Sequence, residues 1–375
     1  MYIGSYDNDY LDVNEATAAA ANQVQSIIFE ELKKNQLYFQ KVVISFLLKP
    51  MRTWPFSSFF WMGATNNLCQ TPPYINITGV KQLCFSFYLF LTLFRIYPKV
   101  IIKYNTSLLD ILVLITYKLF CPNVFLVSVI QDVHYDQYRR FHIPRLLVLF
   151  GMKLVKSFDF IIPISNKIKE DFDFPNDKVM VFKGGLTRQG VRLLAEDAKN
   201  LMPYAVFAGS LESYNGIDIL LKAWTENNIQ LDLHVFGRGS CENLVRQAAV
   251  HNSRIIFHGF KNENDVFDYQ KKALINLCFR FSKGIEAGYF FPSKLFNIIC
   301  APGVVLVNKF VDFPEELVSC CAIIDDDFSN LMEKIKSAFD NKSLIQMRST
   351  RRKWIELNGD WATVINEIYL RAGLR

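Results

Sequence analysis

The chain contains no apolar run approaching the ~20 residues that a membrane-spanning helix needs. Its nearest approach, residues 83–94 (LCFSFYLFLTLF), predicts a helix that is buried or lies at an interface. The N-terminus lacks the basic-then-apolar pattern of a secretory signal, so the cytoplasm is the expected compartment and the sequons at Asn76 and Asn105 are read as accidental. Paired cysteine motifs are also missing. The eight cysteines (Cys69, Cys84, Cys121, Cys241, Cys278, Cys300, Cys320 and Cys321) are scattered without a C-x-x-C, which argues against a zinc site and against a disulfide frame. There is no short internal repeat and, apart from Ala18–Ala21, no low-complexity tract. Acidic residues are scarce in one window. From Lys33 to Lys156 there are fifteen Lys or Arg against three acids (Asp110, Asp132, Asp136), an excess of twelve; with a net charge of +6, the rest of the chain carries an acidic excess of six.

That basic window also holds aromatic clusters at Trp54–Phe56, Phe59–Trp61 and Tyr138–Arg140. Cations mixed with aromatics suit an anionic membrane surface, and the window predicts peripheral attachment of a cytoplasmic protein to the inner face of the cytoplasmic membrane. Nucleic acid is not expected as a partner, because no nucleic-acid motif accompanies the charge. A solvated basic face without a partner is the competing reading.

With 375 residues, half of them apolar, the chain has room for two domains with separate cores. Short apolar runs at 2–4, 42–46, 74–78, 100–104, 125–130, 160–163 and 179–182 predict strands. Helical periodicity at 15–34, 81–96, 108–119 and 143–158 falls between them. The alternation restarts with strands at 204–208, 231–236 and 255–257 and helices at 216–226, 241–251 and 263–271. This is the βαβ pattern of doubly wound parallel sheets. The expected division is residues 1–190 and 200–358, with the polar stretch 186–203 as connection. A final helix in 360–375, apolar on one side through Trp361, Val364, Ile365, Ile368 and Tyr369, is expected to pack back on the first domain.

Residues 273–308 concentrate the chemistry. A buried strand leads to Arg280, a helix is predicted over 293–301, and a second strand spans 304–307. Pro292 suits the helix start and Pro302-Gly303 its end. Lys294 then sits in the first helical turn, where unpaired backbone amides already favour an anion, and Arg280 at the preceding strand end reaches the same point. Carboxyl ends of parallel strands are where such sheets bind ligands. A cation at that helix start makes sense against a diphosphate; two solvated surface cations is the alternative. Asp325-Asp-Asp327 is read as a solvated loop and not as a metal site.

Several segments, in order, resemble the retaining glycosyltransferases of the two-Rossmann-domain (GT-B) class, family 4. They are Phe207-Ala-Gly-Ser-Leu211 with Tyr214-Asn-Gly-Ile217, His234-Val-Phe-Gly-Arg-Gly239, Ile256-Phe-His-Gly-Phe260 and Phe291-Pro-Ser-Lys294. Weaker similarity covers Ala19–Val24, Lys103-Tyr-Asn105 and Gln131–His134. The resemblance implies an α/β fold of two Rossmann-like domains facing across a cleft, and sugar transfer from a UDP- or GDP-sugar to a glycan or lipid-linked glycan in capsule, O-antigen or exopolysaccharide synthesis, with no cofactor or metal required. It assigns the donor diphosphate to Arg280 and Lys294. It places Gly209, Ser210, Asn215, Gly237, Ser293 and Gly4 around the nucleotide. Asn297 stands where members carry the ribose-binding glutamate, and Glu286 is the surviving glutamate of that pair, set against the donor sugar. His134 falls on the sugar side of the first domain, and Tyr104, Asn105 and Asp132 on the acceptor side. The loop 209–216 lacks the Arg and Lys that many members carry there.

Two other functions fit parts of this pattern. A catalytically degenerate relative that partners another transferase agrees with Ser210, Asn215 and Asn297. A nucleotide-sugar epimerase needs a carboxylate acid–base pair that the sequence does not show.

Overall fold

The structure is a computed structural model that describes residues 1–4, 19–34, 43–45, 60–61, 64–65, 69–75, 80–105, 107–131, 133, 142–197, 200–281, 287–289 and 291–374. It divides into two units. The first comprises residues 1–184, 288–290 and 361–375, and the second residues 185–287 and 291–360. The division thus falls at Gly184–Gly185, immediately before the stretch 186–203 expected as the connection, and residues 288–290 belong to the first unit.

The first unit has strands β1 (Tyr2–Gly4), β2 (Val43–Ser45), β3 (Phe60–Trp61), β4 (Ala64–Thr65), β5 (Cys69–Thr71), β6 (Tyr74–Ile75), β7 (Val100–Tyr104), β8 (Phe125–Ile130) and β9 (Phe160–Pro163). Its helices are α1 (Ala19–Lys34), α2 (Val80–Ile96), α3 (Leu108–Phe120), α4 (His142–Val155) and α5 (Asn166–Asp171). Among the described residues the main sheet runs β4-β5-β2-β1-β7-β8-β9, parallel except at the β4–β5 edge. The continuous apolar runs VII, FLVSVI and FIIP are what strands covered on both faces require.

Two predicted strands turn out differently. Tyr74–Ile75 pairs antiparallel with β3, outside the main sheet. Residues 179–182 run beside β9, with Met180 N–H donating to Ile161 O (3.1 Å) and Phe182 N–H to Pro163 O (3.0 Å), yet form a single bridge. Pro163 has no N–H to return to Met180 O, so the next bridge cannot close.

Alternation along the strands sorts the side chains. Tyr2, Ile102, Tyr104, Val127, Val129, Phe160 and Ile162 pack with Val24 and Ile28 of α1 and with Trp361, Val364, Ile365 and Ile368. Those last four lie on the terminal helix, which belongs to the first unit as its apolar stripe predicted. Lys103 alternates with Ile102 and Tyr104 and so points to the other face. There its Nζ lies 3.1 Å from Asp110 Oδ2 on α3, with both side chains buried, and donates to Tyr104 O (3.1 Å). Ser86 Oγ on α2 lies 3.4 Å from the other oxygen of Asp110.

The second unit adds α6 (Arg188–Ala195), β10 (Met202–Ala208), α7 (Ile217–Glu226), β11 (Asp232–Phe236), α8 (Glu242–His251), β12 (Ile255–Gly259), α9 (Glu263–Gln270) and β13 (Ala273–Cys278). It continues with α10 (Lys294–Ile298), β14 (Val304–Asn308), α11 (Glu315–Val318), β15 (Ala322–Ile324), α12 (Leu331–Ser337) and α13 (Asn341–Asn358); the terminal helix of the first unit is α14 (Trp361–Arg371). The sheet is parallel throughout, in the order β12-β11-β10-β13-β14-β15. Buried Trp224 anchors its core and donates from Nε1 to Leu231 O (3.0 Å). Arg351 on α13, which the sequence reading passed over, is wholly buried. It donates to Ile299 O, Ala301 O and Gly303 O, in the stretch after α10, and to Cys320 O just after α11, at 2.8–3.1 Å, satisfying carbonyls left open beyond the two helix ends.

On β11 and β12, His234 Nδ1 and His258 Nε2 lie 2.8 Å apart inside a box of Tyr204, Phe236 and Tyr269. Burial lowers both pKa values, and the His234 and Lys261 charges add to the effect at His258, which falls to about 4. A histidine depressed below its unfolded value stabilises the protein above about pH 6.5, and that stability is lost as pH falls toward 4. Because His258 is only half-buried, the expected loss is on the order of 1 kcal/mol, about 2–4 °C in melting temperature. Melting curves at several pH values between these limits, compared with His258→Phe, should show the wild type losing more stability on acidification. Parallel pH profiles would dismiss the pair as a titrating element.

Candidate functional site

In the strand order of the second unit the chain runs outward from β10 to β11 and β12, then returns to β13 on the other side of β10. The connections leaving β10 and β13 therefore diverge, and this reversal leaves room for a ligand at the carboxyl ends of the two strands. Gly209 follows β10, Arg280 follows β13, and Lys294 opens the helix after that.

The β10 side is held by backbone geometry. Gly209 (φ +146°) donates to Phe236 O at 3.0 Å, and Gly237 (φ +141°) donates to Gly259 O at 2.9 Å. A Cβ on Gly237 would lie 1.8 Å from Gly209 O, so only glycine allows the two turns to pass. Asn215 Nδ2 donates to Ser210 O (2.9 Å), closing the loop on itself. That loop is tied to the β13 side, where Phe281 N–H donates to Tyr214 O (2.7 Å) and the Arg280 guanidinium lies 4.6 Å from the centre of the Tyr214 ring. The Arg280 backbone is clamped in turn. Its N–H donates to Asn308 Oδ1 (2.9 Å), while Asn308 Nδ2 donates to Arg280 O (2.8 Å) and to Asp326 Oδ1 (2.9 Å).

Lys294 is the anomaly of the unit. The residue is half-buried, but its Nζ has essentially no exposed area and no hydrogen-bond partner among the described residues. It lies 4.9 Å from the centre of the Phe207 ring, and a Cβ on Gly209 would be 3.4 Å from it. Burial lowers its pKa; the neighbouring Cys278 thiol opposes that and the Arg280 charge reinforces it. The same burial raises the Cys278 pKa. An ammonium without a hydrogen-bond acceptor, next to a guanidinium, is costly unless an anion joins them.

The helix start contributes less than its sequence promised. Only five residues of the predicted 293–301 are α-helical. Leu295 N–H donates to Pro292 O and Phe296 N–H to Ser293 O, so these two amides are consumed by tight turns instead of facing a ligand. Side-chain charge therefore dominates the site.

Of the residues singled out in the sequence, Gly209, Ser210, Asn215, Gly237, Arg280, Ser293 and Lys294 all lie at this carboxyl edge. Asn297 requires correction as a ribose ligand. It is 6% exposed, and its Oδ1 accepts from Thr187 N (3.2 Å) and Thr187 Oγ1 (2.7 Å), pinning α6. Tyr104 is buried in the core of the first unit. Asn105 (φ +48°) turns the chain after β7, and its Oδ1 accepts from Gln131 N–H at 2.9 Å. Gly4 lies against α1, where a Cβ would meet Gln25 Oε1 at 2.1 Å. Asp132, His134 and Glu286 lie outside the described residues. Tyr214, Asn308 and Asp326 were missed as supports of Arg280. The available signal was a polar residue ending the apolar strand VVLVN, followed at some distance by an acidic loop.

No protein-family model matches the chain, and the search of curated proteins finds no match. Solved structures do match over its whole length. The Anabaena protein Alr3699/HepE, solved in complex with UDP and glucose, is 14% identical over 100% of both chains, with a TM-score of 0.65. The lipopolysaccharide outer core galactosyltransferase WaaB, in its apo form, is 11% identical over 98% of both, with a TM-score of 0.64. The α,α-trehalose 6-phosphate synthase of Burkholderia multivorans is 10% identical over 100% of this chain and 96% of that one, again with a TM-score of 0.64. These likenesses establish the fold, the GT-B architecture of two Rossmann-like domains.

Proposed function

We propose that the chain is a hexosyl transferase that takes its sugar from a UDP- or GDP-sugar, with retention of configuration, and passes it to a glycan or lipid-linked glycan in cell-surface polysaccharide synthesis. The observation that carries this reading is the Lys294 ammonium, buried without a hydrogen-bond partner among the described residues, beside Arg280 at the carboxyl ends of β10 and β13. A nucleoside diphosphate supplies what that corner lacks. The UDP and glucose in the HepE structure and the identity of WaaB as a galactosyltransferase support a UDP-sugar in particular.

Breaking the bond between the anomeric carbon and the diphosphate oxygen leaves positive charge on the sugar and added negative charge on the leaving group. Arg280 offers a forked donor fixed through Tyr214 and Asn308, and Lys294 a point charge. Both are oriented before the reaction, so their stabilisation of the leaving diphosphate needs no reorganisation of water. In a retaining reaction through a short-lived oxocarbenium-like pair, the departing phosphate itself takes the acceptor's proton. The excess of twelve positive charges across residues 33–156 supports action at the inner face of the cytoplasmic membrane, and among the described residues no helix is long and apolar enough to cross one.

A second reading is favoured by two observations: Lys294 Nζ is shut off from solvent, and the Asn297 oxygen is engaged by Thr187. It is a donor-binding protein without turnover, acting beside another transferase. Release of UDP or GDP from the donor sugar without acceptor separates the two, since a pure binder releases none.

Thermal shift against UDP-, GDP- and TDP-sugars tests the reading directly. One nucleotide class at about 100 times its Kd should stabilise the protein by about 2.7 kcal/mol. A melting temperature indifferent to all three would remove the diphosphate from this site.

A further inference from the structure

We infer that the outer face of α2, α3 and α4 is a docking surface for an anionic lipid bilayer. This rests on the membrane part of the proposed function and is independent of the donor chemistry.

On α2 the buried stripe runs through Phe85, Leu89 and Leu93. The opposite side is apolar as well, with Leu83, Phe87 and Leu91 at four-residue spacing and 59%, 66% and 53% exposed. A helix apolar on both sides, with one side in water, is a helix missing a neighbour. The neighbours it has are in place on its flank. Phe94 of α2 packs edge-on against Tyr117 and Phe120 of α3, and Gly151 of α4 lies against Leu108 and Ile111 of α3. Leu119 and Phe120 of α3 and Leu146 and Phe150 of α4 are nonetheless exposed, so each of the three helices carries apolar side chains in water. Monomers in water rarely carry such a face without a partner.

Charge identifies the partner. Across α2, α3 and α4 the one carboxylate is Asp110, buried against Lys103. The exposed charges on or beside these helices include Arg95, Lys99 and Lys153. Two copies meeting through these helices would set Arg95, Lys99 and Lys153 against one another with no exposed carboxylate on the helices themselves, since Asp159 and Asp173 beside them are already paired with Lys118 and Lys156. An anionic bilayer accepts both features, the Leu and Phe side chains at the acyl boundary and the cations among the headgroups.

The test is co-sedimentation of the full chain with vesicles of phosphatidylcholine, with and without roughly one-third phosphatidylglycerol. Partitioning should be at least about tenfold stronger with the anionic lipid and should weaken about tenfold between about 0.1 and 1 M salt. Phe87→Ser with Leu91→Ser should reduce it about tenfold, and Arg95→Glu with Lys153→Glu at least as much. Both variants should keep the wild-type melting temperature and the wild-type response to nucleotide sugars. Equal partitioning to both vesicles, absence of partitioning, or a dimer in ultracentrifugation that the same substitutions disperse would each overturn the inference. The nucleotide response in the same samples reports separately on the donor site.

Discussion

Replacing Lys294 with methionine is expected to raise the stability of the ligand-free protein while removing its activity. In the wild type the ammonium is buried, its pKa is depressed by that burial, and its Nζ has no hydrogen-bond partner among the described residues. An apolar side chain of similar length relieves that cost, and the expected gain is on the order of 1 kcal/mol or more. Transfer should fall by about 10²–10³-fold, the usual cost of losing one preorganised group that stabilises developing charge. Arg280→Met should lose a comparable factor in turnover but gain no stability, because it also gives up the Tyr214 contact. Paired melting curves and donor-turnover assays check both signs. A less stable Lys294→Met protein would mean that the ammonium already has a satisfying environment, and unchanged turnover would take it out of the mechanism. Stability withheld at a functional site and regained on its removal is a general trade-off in enzymes.

The second large effect is expected at Asp110. Asp110→Ala leaves the Lys103 ammonium buried with only Tyr104 O at 3.1 Å. The expected loss is about 3–5 kcal/mol, which lowers the melting temperature by on the order of 10 °C. The double variant Lys103→Met/Asp110→Leu removes both charges and should recover most of the loss. Chemical denaturation of the two single variants and the double one closes the cycle. A single-variant loss below about 1 kcal/mol would show that water reaches the pair and that it behaves as a surface ion pair. Lys103 belongs to the Lys103-Tyr-Asn105 segment that resembles an acceptor-side motif, yet its ammonium is committed to α3. In the same segment Tyr104 is buried in the core of the first unit and the Asn105 side chain accepts from Gln131 N–H.

The second unit was legible nearly element by element. Met202–Ala208, Asp232–Phe236, Ala273–Cys278 and Val304–Asn308 are apolar runs too short for helices, separated by stretches of helical period. The positions of Arg280 and Lys294 followed from counting along those elements. What could not be counted was the fate of individual polar groups. Asn297 was expected to face a ribose because it lies one turn beyond Lys294, but Thr187, 110 residues away, takes its oxygen. The Arg280 clamp joins positions 280, 308 and 326. The β3–β6 pairing and the broken bridge beside Pro163 likewise depend on partners that local periodicity does not contain.

Sequence alone determined the alternation of strands and helices, the two-unit parallel architecture, the return of the terminal helix and the edge of the sheet where the cations gather. These depend on the period of burial along the chain, and a linear string carries that period. Tertiary structure alone decided that α10 spends two of its first amides on itself, that Asn297 is a brace, that Arg351 is a buried tie and that Lys294 is left without a hydrogen-bond partner among the described residues. The Asn297 and Arg351 contacts join groups 31 to 110 residues apart, the α10 turns and the Lys294 site depend on how the chain closes locally around them, and none of this is carried by the period of burial.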